Sequence, residues 1–472
     1  MNPEQERLSI KEKVGYSVGD TASNLFFQTF IYYMLFFYTD VFGITAKAAG
    51  TMFLITKIWD AVNDPMMGMI ADRTDSRWGK FRPYLIWGAI PFGVLGVLTF
   101  TTPELGDTGK LVYAYITYTF LMMAYTAINV PYSAIMGVMT PNSHDRTTIS
   151  SFRFVAVFAA LLFVQYFIPA MTDGAEIPTK NWQLTMSIVS GLAVVLFIVT
   201  FFSCKERVQP PKGQKTSFKQ DLADLISNKP WVFVGTATVF QLIFICMRGG
   251  SLMYYFQYYV KDQDIALFGR VFSLTYSKLF SYFTMSGTAF TILGVVLTTP
   301  ISKAFGKSMT YAISLGVAGI AAGFFILLGP KSLALMFGLN IVTSFAVGPV
   351  SVLQWAIYAD TADYSEWKRG RRATGLVMSA SLFALKLGIA LGAAANAWIL
   401  SAYGYQPNVE QTASGLLGIR MAMSVYPSVF AIIGMVLMFF YPLKKHMMMR
   451  VETELIERRR QHGSEETPEA GL

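Results

Sequence analysis

The sequence predicts an all-α membrane protein with twelve transmembrane helices arranged in two six-helix bundles. Of its 472 residues, 53% are hydrophobic and only 14% are charged, which is not the composition of a soluble protein. Apolar segments near the roughly 20 residues that span a bilayer recur along the chain, and one hydrophilic stretch divides them six and six. The predicted units are an N-terminal bundle (1–203), a central cytoplasmic loop (204–230), a C-terminal bundle (231–445) and a cytoplasmic tail (446–472).

Each predicted span is an apolar run bounded by polar, glycine or proline residues. The predicted spans are 15–38, 49–71, 84–100, 111–138, 150–171, 184–202, 231–260, 279–301, 308–328, 333–359, 374–401 and 414–441. Six spans on each side of a hydrophilic loop are typical of a two-bundle transporter with related halves. The segment 261–278 is amphipathic, so we expect it to lie on the membrane surface or to extend a helix. We expect the charged tail from Glu452 to be mobile.

Basic residues are concentrated in alternate loops, which predicts the orientation of the chain in the membrane. They cluster in the N-terminal tail, in the central loop, in "KRGRR" from Lys368 and in the C-terminal tail, whereas loops such as "TPELGDTGK" carry few. We therefore predict that both termini and the central loop are cytoplasmic. The net charge of +9 reflects this bias, and no basic domain with base-stacking aromatic residues indicates a nucleic-acid partner.

Cysteine and histidine usage argues against a disulfide framework or a metal-binding cluster of these residues. Cys204 and Cys246 stand far apart, and His144, His446 and His462 are widely spaced. A membrane-embedded enzyme is an alternative class, and it would need a nucleophile with its base, or a metal cluster, near a membrane face. No H-E-x-x-H motif occurs in the sequence, and the one G-x-S-x-G match, "GYSVG" at 15–19, stands at the start of the first predicted span with no histidine before His144. We therefore predict a protein without catalytic residues and without an organic cofactor.

The stretch "KIWDAVNDPMMG" places Asp60 and Asp64 inside the second predicted span. A charge at the bilayer centre costs at least about 2.5 kcal/mol, so each acid must face a cavity or a partner. The spacing of four puts both carboxylates on one helix face, with Asn63 beside them, and their repulsion falls when a cation enters. Hard cations prefer such oxygen ligands. The alternative is structural, with each acid paired to Lys57 or Lys386 to hold the bundles together.

Six parts of the chain carry further motifs, in order along the predicted helices. They are "GYSVGDTASN" with "FYTDVFG", "WDAVNDPMMG" with "SRWGKFRP", "YTAINVPY", "SFRFVA", "YADTADYSEWKRGRR" and "YQPNVEQT". Together they resemble the glycoside-pentoside-hexuronide:cation symporters, the melibiose permease family of the major facilitator superfamily. The resemblance implies the twelve-helix major facilitator fold and alternating access. It also implies sugar transport coupled to Na⁺, Li⁺ or H⁺ across the cytoplasmic (inner) membrane of a bacterium.

The resemblance implies a cation site at Asp60, Asn63, Asp64 and Thr126, all of which match the family pattern. Two carboxylates with neutral oxygen donors suit Na⁺ better than a proton, which needs only one titratable group. We therefore expect Na⁺ at Asp60 and Asp64 as the coupling ion, with Li⁺ or H⁺ as alternatives. Lys386 matches a position near this site. The intact pair of acids argues against an uncoupled uniporter or lipid carrier on the same fold.

The implied sugar site departs from the melibiose-type pattern. Two acids of that pattern are replaced by Asn24 and Asn129, and two tryptophans are replaced by Ser133 and Ser351. The residues predicted to bind substrate are Asn24, Asn129, Arg153, Arg248, Lys386, Tyr125, Gln354 and Trp355.

The charge of this site predicts an acidic substrate. The two asparagines remove negative charge, whereas Arg153 in the fifth span and Arg248 in the seventh are present. A carboxylate can accept a charge-assisted, two-pronged contact from arginine, which a neutral sugar cannot. We expect a uronide, a hexuronide or a short uronate oligosaccharide, with a neutral glycoside, a pentoside or a sulfonated sugar as alternatives. Structural alternatives are that Arg153 pairs with a loop acid and that Arg248 snorkels toward the nearer surface. The expected partners are this sugar, Na⁺ and membrane lipid.

Two charged segments, "GMIADRTDSRWGKFR" and "YADTADYSEWKRGRR", are predicted to form cytoplasmic gates. The first resembles the loop after the second helix in the wider superfamily, and the second is expected to join the two halves. The predicted gating residues are Asp72, Arg73, Arg77, Asp360, Asp363 and Arg371. The alternatives are that the first segment only anchors the loop and that the second is a solvated run of charge.

Overall fold

The computed structural model describes residues 8–140, 143–174, 176–207, 227–267, 270–369 and 374–465. Within these residues the chain forms long α-helices and one short β-hairpin. Residues 208–226, which make up most of the predicted central loop, lie outside the described residues, and so does Arg371. The helices before and after that loop are called the N-half and the C-half.

The N-half contains six long helices. They are α1 (Ile10–Tyr32), α2 (Ala46–Arg73), α3 (Pro83–Thr99), α4 (Asp107–Met139), α5 (Ser143–Thr172) and α6 (Pro178–Ser203). Helix α1 begins with a capping box, because Ser9 accepts a hydrogen bond from the Glu12 amide while the Glu12 carboxylate accepts one from the Ser9 amide. After α1 the chain bends by 60° and continues through the helical turn Met34–Phe36 and the π-helical turn Phe37–Phe42.

The C-half contains the next seven helices, followed by a C-terminal helix. They are α7 (Lys229–Tyr254), α8 (Tyr276–Phe305), α9 (Lys307–Gly323), α10 (Leu333–Arg369), α11 (Thr374–Ala402), α12 (Ala413–Met423), α13 (Val425–Phe439) and α14 (Lys445–Glu465). Helix α7 continues in the π-helical turn Tyr255–Val260, and α9 continues in the 3-10 turn Phe324–Leu327. Helices α12 and α13 are interrupted only at Ser424 and together form one span.

The described helices account for twelve crossings, as the sequence predicts. Nine stretches are long and apolar enough to span a bilayer, and bent α1 with its extension is a tenth. Helix α2 differs because it carries Lys57, Asp60 and Asp64 within its apolar stretch, and α3 differs because it has only 17 residues. An even number of crossings leaves both ends of the chain on the same side of the membrane.

The segment between α7 and α8 is a β-hairpin, so the predicted helix extension is wrong, while the alternative position on the membrane surface stays a prediction. Strands β1 (Gln263–Leu267) and β2 (Arg270–Leu274) pair antiparallel, with Gln263 opposite Leu274 and Leu267 opposite Arg270. The β-branched residues Ile265 and Val271 favour extended backbone, and Gly269 lies between the two runs. Amphipathic composition alone did not distinguish a helix from two short strands.

The tail after the last span is helical to Glu465, which contradicts the expected mobility from Glu452. Met448, Val451 and Leu455 of α14 form an apolar cluster against Trp367 at the end of α10. The indole Nε1 of Trp367 donates a hydrogen bond of 2.6 Å to the Glu454 carboxylate. The apolar residues recur at helical spacing, which the highly charged composition of the tail obscured.

The two halves contact each other at the end of the molecule that is away from the chain termini, which is called the closed end. A Cβ added to Gly50 in α2 would lie 2.6 Å from the Cβ of Ala397 in α11, so only glycine allows this approach. Where α5 ends and α8 begins, the Thr275 hydroxyl donates a hydrogen bond of 2.8 Å to the Asp173 carboxylate.

Gly348 in α10 provides a test of helix packing within the C-half. An added Cβ would lie 2.6 Å from the Thr291 carbonyl oxygen and 2.7 Å from the Val295 amide nitrogen of α8, and backbone cannot move aside as a side chain can. We expect Gly348→Ala to destabilise the protein by about 1–3 kcal/mol through overpacking. Gly338→Ala in the same helix is the control, because no atom lies within 4 Å of its added Cβ. Thermal unfolding in detergent should separate the two variants, and equal melting temperatures would contradict the packing.

Candidate cation and substrate sites

The predicted cation residues Asp60, Asp64 and Thr126 lie together at the contact between α2 and α4. The Thr126 hydroxyl is 2.8 Å from Asp60 Oδ1 and 3.0 Å from Asp64 Oδ1. Its single proton can be donated to only one of these carboxylates at a time. One turn of helix separates the two acids, as the spacing of four predicts, so three side chains present oxygen atoms to one point.

Two lysines also reach this cluster. Lys57 Nζ is 3.6 Å from Asp60 Oδ2, and Lys386 Nζ is 3.1 Å from the same oxygen and also pairs with Asp64. The predicted structural pairing of the acids with lysines is therefore present in this structure. Two ammonium groups balance two carboxylates, which lowers the cost of holding the charges inside the bundle. Because Lys386 belongs to α11, its ion pairs join the C-half to the N-half.

Asn63 is half-buried on α2, beside the cation cluster in sequence. Its side chain makes no hydrogen bond to another described residue, and its place as a cation ligand stays a prediction. The described residues also contain no group of three or more histidine, cysteine, aspartate or glutamate side chains that could hold a metal ion. The cation cluster is thus limited to two carboxylates, with a hydroxyl as the neutral oxygen closest to both.

Arg153 in α5 forms an ion pair with Asp20 in α1, a residue that sequence reasoning did not single out. Its Nη2 is 3.2 Å from Asp20 Oδ1, and its Nε contacts the other carboxylate oxygen. The guanidinium carbon is also 5.6 Å from the ring centroid of Tyr16 and 5.8 Å from that of Tyr132. The partner is an intramembrane acid and not the loop acid of the structural alternative. The charge of Arg153 is therefore already balanced, and only Arg248 keeps the predicted excess of positive charge.

Asn24 and Asn129, the two replacements for acids, are held by hydrogen bonds at α1 and α4. Ser23 donates to Asn129 Oδ1 at 2.6 Å, and Asn129 Nδ2 donates to the Tyr125 carbonyl at 2.9 Å. Asn24 Nδ2 donates to the Asp20 carbonyl at 3.0 Å. These amides join neighbouring turns and helices. Their contact with a sugar stays a prediction.

Arg248 in α7 is 7% exposed, so it does not snorkel to a surface. Its Nη2 donates a hydrogen bond of 3.2 Å to Asn340 Oδ1, and its guanidinium lies 4.8 Å from the centroid of the Phe325 ring. Its Nε has no hydrogen-bond partner. Among the described residues, no aspartate or glutamate oxygen lies within 4 Å of this guanidinium. Arg248 is therefore a buried positive charge without a described counter-ion.

A cavity of about 340 Å³ lies between the two halves, where α1 faces α7, α8, α10 and α11. Its polar lining comes mainly from hydroxyl and amide side chains that sequence reasoning missed, although Tyr32 was considered and Ser351 was noted as a tryptophan replacement. The polar lining residues are Gln28, Tyr32, Thr284, Thr288, Thr291, Asn340, Ser344 and Ser351. Their signal is present in the sequence, because on each of the three helices α1, α8 and α10 they recur at spacings of three, four or seven residues, which place them on one helix face.

None of the eight residues predicted to bind substrate is among the residues that line this cavity, although Arg248 contacts the lining residue Asn340. Gln354 is buried in α10, and Trp355 is exposed with its ring near Tyr358. Lys386 reaches the cation cluster instead. Tyr125 lies in α4, where its ring contacts Phe92 of α3.

The predicted gating residues are only partly described. Asp72, Arg73 and Arg77 are exposed where α2 ends, as expected of a loop anchor or a gate. Asp360 in α10 accepts hydrogen bonds of 2.7 and 2.8 Å from Lys307 in α9, and this contact lies within the C-half. Asp363 is half-buried, and Arg371 lies outside the described residues, so a gate between the halves stays a prediction.

The sequence profile of the family described as MFS/sugar transport protein matches residues 15–445. The chain belongs to this family. The resemblance to glycoside-pentoside-hexuronide:cation symporters is therefore confirmed. The protein is a multi-pass membrane transporter and not an enzyme, and its relatives indicate a glycoside/cation symporter.

Several characterised and uncharacterised proteins are similar over nearly the whole chain. The inner membrane symporter YicJ of Escherichia coli is 34% identical over 96% of each chain. The isoprimeverose transporter of Lactiplantibacillus pentosus is 35% identical over 92% of this chain and 89% of the relative. The glucuronide carrier protein homolog of Escherichia coli is 29% identical over 96% of this chain and 97% of the relative.

Solved structures support the same fold. A bacterial homologue of the human drug peptide transporters PepT1 and PepT2 superposes with a TM-score of 0.67 at 12% identity, over 93% of this chain and 99% of that one. At this low identity the likeness concerns only the fold.

Proposed function

We propose that this protein is a Na⁺-coupled symporter that moves an acidic sugar into the cytoplasm by alternating access, with both chain termini cytoplasmic. The substrate class is a uronide, a hexuronide or a short uronate oligosaccharide. The observation that carries the acidic preference is Arg248, a buried guanidinium without a described counter-ion. Asn340, which accepts its hydrogen bond, also lines the cavity between the halves.

The coupling ion is proposed to bind between Asp60 and Asp64. Two carboxylates and the Thr126 hydroxyl offer oxygen ligands of the kind that Na⁺ prefers over nitrogen or sulfur. In this structure the ammonium of Lys386 occupies the position of a counter-cation. A Na⁺ ion that enters between the carboxylates competes with this ammonium. Because Lys386 belongs to the other half, the exchange links ion binding to the contact between the halves.

The cavity is proposed as the sugar site. Its volume of about 340 Å³ falls within the range of small-molecule pockets. Hydroxyl and amide side chains on α8 and α10 can exchange hydrogen bonds with sugar hydroxyls, and each of these side chains can both donate and accept. A carboxylate on the sugar would supply the negative charge that Arg248 lacks.

A neutral glycoside is the second candidate, and the similarity to an isoprimeverose transporter favours it. The similarity to a glucuronide carrier homolog favours the acidic substrate instead. A sulfonated sugar would satisfy the same electrostatics as a uronate. Coupling to Li⁺ or H⁺ is also compatible with two carboxylates. We favour the acidic substrate over the neutral one, because a neutral sugar would leave the Arg248 guanidinium without a counter-ion.

Asparagine variants of Asp60 and Asp64 test the cation site. We expect NaCl, relative to choline chloride, to raise the unfolding temperature of the purified protein, because an ion that binds the folded state stabilises it. Asp60→Asn and Asp64→Asn should each abolish this effect. Thr126→Ala removes one neutral oxygen and should raise the required Na⁺ concentration about tenfold. Thr117→Ala on the same helix is the control, because its hydroxyl donates to backbone carbonyls one turn earlier in α4 and does not contact Asp60 or Asp64. Full Na⁺ stabilisation of both asparagine variants would exclude this site.

Paired sugars test the acidic substrate. Methyl glucoside and methyl galactoside, each beside its uronate, would be titrated into the purified protein in NaCl by calorimetry. We expect a uronate to bind at least about tenfold more tightly than its neutral parent, because its carboxylate reaches an arginine. Arg248→Gln should abolish this preference. Arg420→Gln in α12 is the control, because its guanidinium binds the Ile326 carbonyl and lies against Tyr259. Equal affinities of the unmutated protein for a uronate and its parent would favour the neutral substrate.

A further inference from the structure

Among the described residues, the hydrogen-bond partner of Arg248 is one neutral side chain, that of Asn340. Asn340 Oδ1 accepts the Arg248 hydrogen bond at 3.2 Å, and Asn340 Nδ2 donates a hydrogen bond of 2.8 Å to the Phe283 carbonyl. These two bonds fix which end of the amide faces the arginine, because a carbonyl oxygen can only accept. Asn340 is itself buried and lines the cavity.

We propose that Asn340 is the residue that sets the charge selectivity of transport, by holding Arg248 in place without neutralising it. Aspartate has nearly the same shape and would make a charge-assisted pair with Arg248. The guanidinium would then be balanced, as Asp20 balances Arg153 in the N-half. A carboxylate on an incoming sugar would then meet no net positive charge at Arg248, and the new aspartate carboxylate would repel it.

This inference rests on the proposed acidic substrate and goes beyond it, because it assigns selectivity to a residue other than the arginine. It also explains why one intramembrane arginine has an acid partner and the other has an amide. In α10, Asn340 is followed at helical spacing by the cavity-lining residue Ser344, so a single substitution at this face changes the charge of the cavity without removing its hydroxyl groups.

Two variants of Asn340 separate charge from hydrogen bonding. Calorimetric titration with the same four methyl glycosides is repeated with Asn340→Asp and Asn340→Ala. We expect Asn340→Asp to weaken uronate binding at least about tenfold and to leave the neutral parents within a few fold, because the new carboxylate balances Arg248, while the loss of the Nδ2 bond to the Phe283 carbonyl is shared with Asn340→Ala. Asn340→Ala also loses the bond to Phe283 but adds no charge, so it should keep the uronate preference.

The outcomes distinguish this inference from the function on which it rests. If the unmutated protein prefers a uronate and Asn340→Asp keeps that preference, Asn340 does not set charge selectivity although the acidic substrate stands. If Asn340→Ala loses the preference as fully as Asn340→Asp, the residue only positions Arg248. If the unmutated protein shows no preference for a uronate, the proposed substrate fails and the inference fails with it.

A separate cluster at the closed end uses two motifs that the cation and sugar sites leave unexplained. Asp40 of "FYTDVFG" is 8% exposed and lies in the π-helical extension of α1. The Tyr405 hydroxyl of "YQPNVEQT" is 2.6 and 2.7 Å from the two Asp40 carboxylate oxygens, and Asn408 Nδ2 donates a hydrogen bond of 2.6 Å to the Asp40 carbonyl. Tyr258, which extends α7, donates to the same carboxylate. Asp40 belongs to the N-half, and the other three residues belong to the C-half.

The bonds between Asp40 and the C-half can form and break at low cost, because they join a carboxylate to neutral hydroxyl groups. The described partners of the Asp40 carboxylate are hydroxyl groups, and none of them is a cation. Burial raises the pKa of Tyr405 far above its usual range, and the Asp40 carboxylate raises it further, so this hydroxyl remains a donor. When the halves separate, water can replace the tyrosine hydroxyls and no opposite charge is left buried.

We infer that Asp40 is a polar latch that holds the closed end shut, whatever the transported sugar or coupling ion. Spin labels at Glu104→Cys and Lys331→Cys report the separation of the halves at this end, because both positions are exposed loop residues, one in each half. The buried native residues Cys204 and Cys246 are replaced by alanine. Double electron–electron resonance of the purified protein then gives the distribution of distances between the labels.

Asp40→Asn should enlarge the longer-distance population at least about tenfold relative to the shorter one, because the charge-assisted bonds are lost. Tyr405→Phe should shift the distribution in the same direction by a smaller amount, and it decides the question if Asp40→Asn does not fold. Tyr113→Phe is the matched control, because its hydroxyl binds the Leu98 carbonyl within the N-half. Distributions of Asp40→Asn and Tyr405→Phe that coincide with that of Tyr113→Phe would overturn the latch.

Discussion

Charge inside an apolar bundle must be balanced, and this constraint organises the interior of the protein. Asp60 and Asp64 are balanced by lysines, and Asp20 is balanced by Arg153. Of these pairs, the contacts made by Lys386 connect the N-half with the C-half. The ion pairs that lower the cost of placing the α2 acids in a membrane therefore also hold α11 against α2. Asp40 meets the requirement differently, because hydroxyl groups from the other half solvate its carboxylate.

The charge of Arg248 is not balanced by any acid among the described residues. A buried guanidinium held by an amide and an aromatic ring keeps its full charge and carries a desolvation cost. A protein can maintain such a cost when a ligand of opposite charge relieves it during function. The contrast with Arg153 follows from one neighbour, since Arg153 faces a carboxylate and Arg248 faces a neutral oxygen. The N-half arginine is thus balanced within the protein, whereas the C-half arginine has no described counter-ion.

Much of the fold follows from the sequence. Composition and twelve apolar segments predicted the helices, and the family motifs predicted their arrangement. The cation cluster could also be predicted, because Asp60 and Asp64 are one turn apart on a single helix and local geometry brings them together. The predictions for the segment after α7 and for the tail that forms α14 missed the observed structure for a shared reason. Both segments mix apolar and polar residues, and mean composition hides whether the apolar residues recur at the spacing of a strand or of a helix.

The sequence by itself determined the membrane class, the spans and the position of charge along each helix, because these properties depend on local composition and on periods of a few residues. Only the tertiary structure decided which charges meet. Lys386 is 322 residues from Asp64, and its pairing with the acids was one of two alternatives until the packing of α11 against α2 was known. Asp20 and Arg153 are 133 residues apart, and no local pattern predicts such a pair. The same holds for the lining of the cavity and for the Asp40 cluster, whose members come from opposite halves. The residue type determines the charge of a side chain, whereas the packing of the helices determines which counter-ion it contacts.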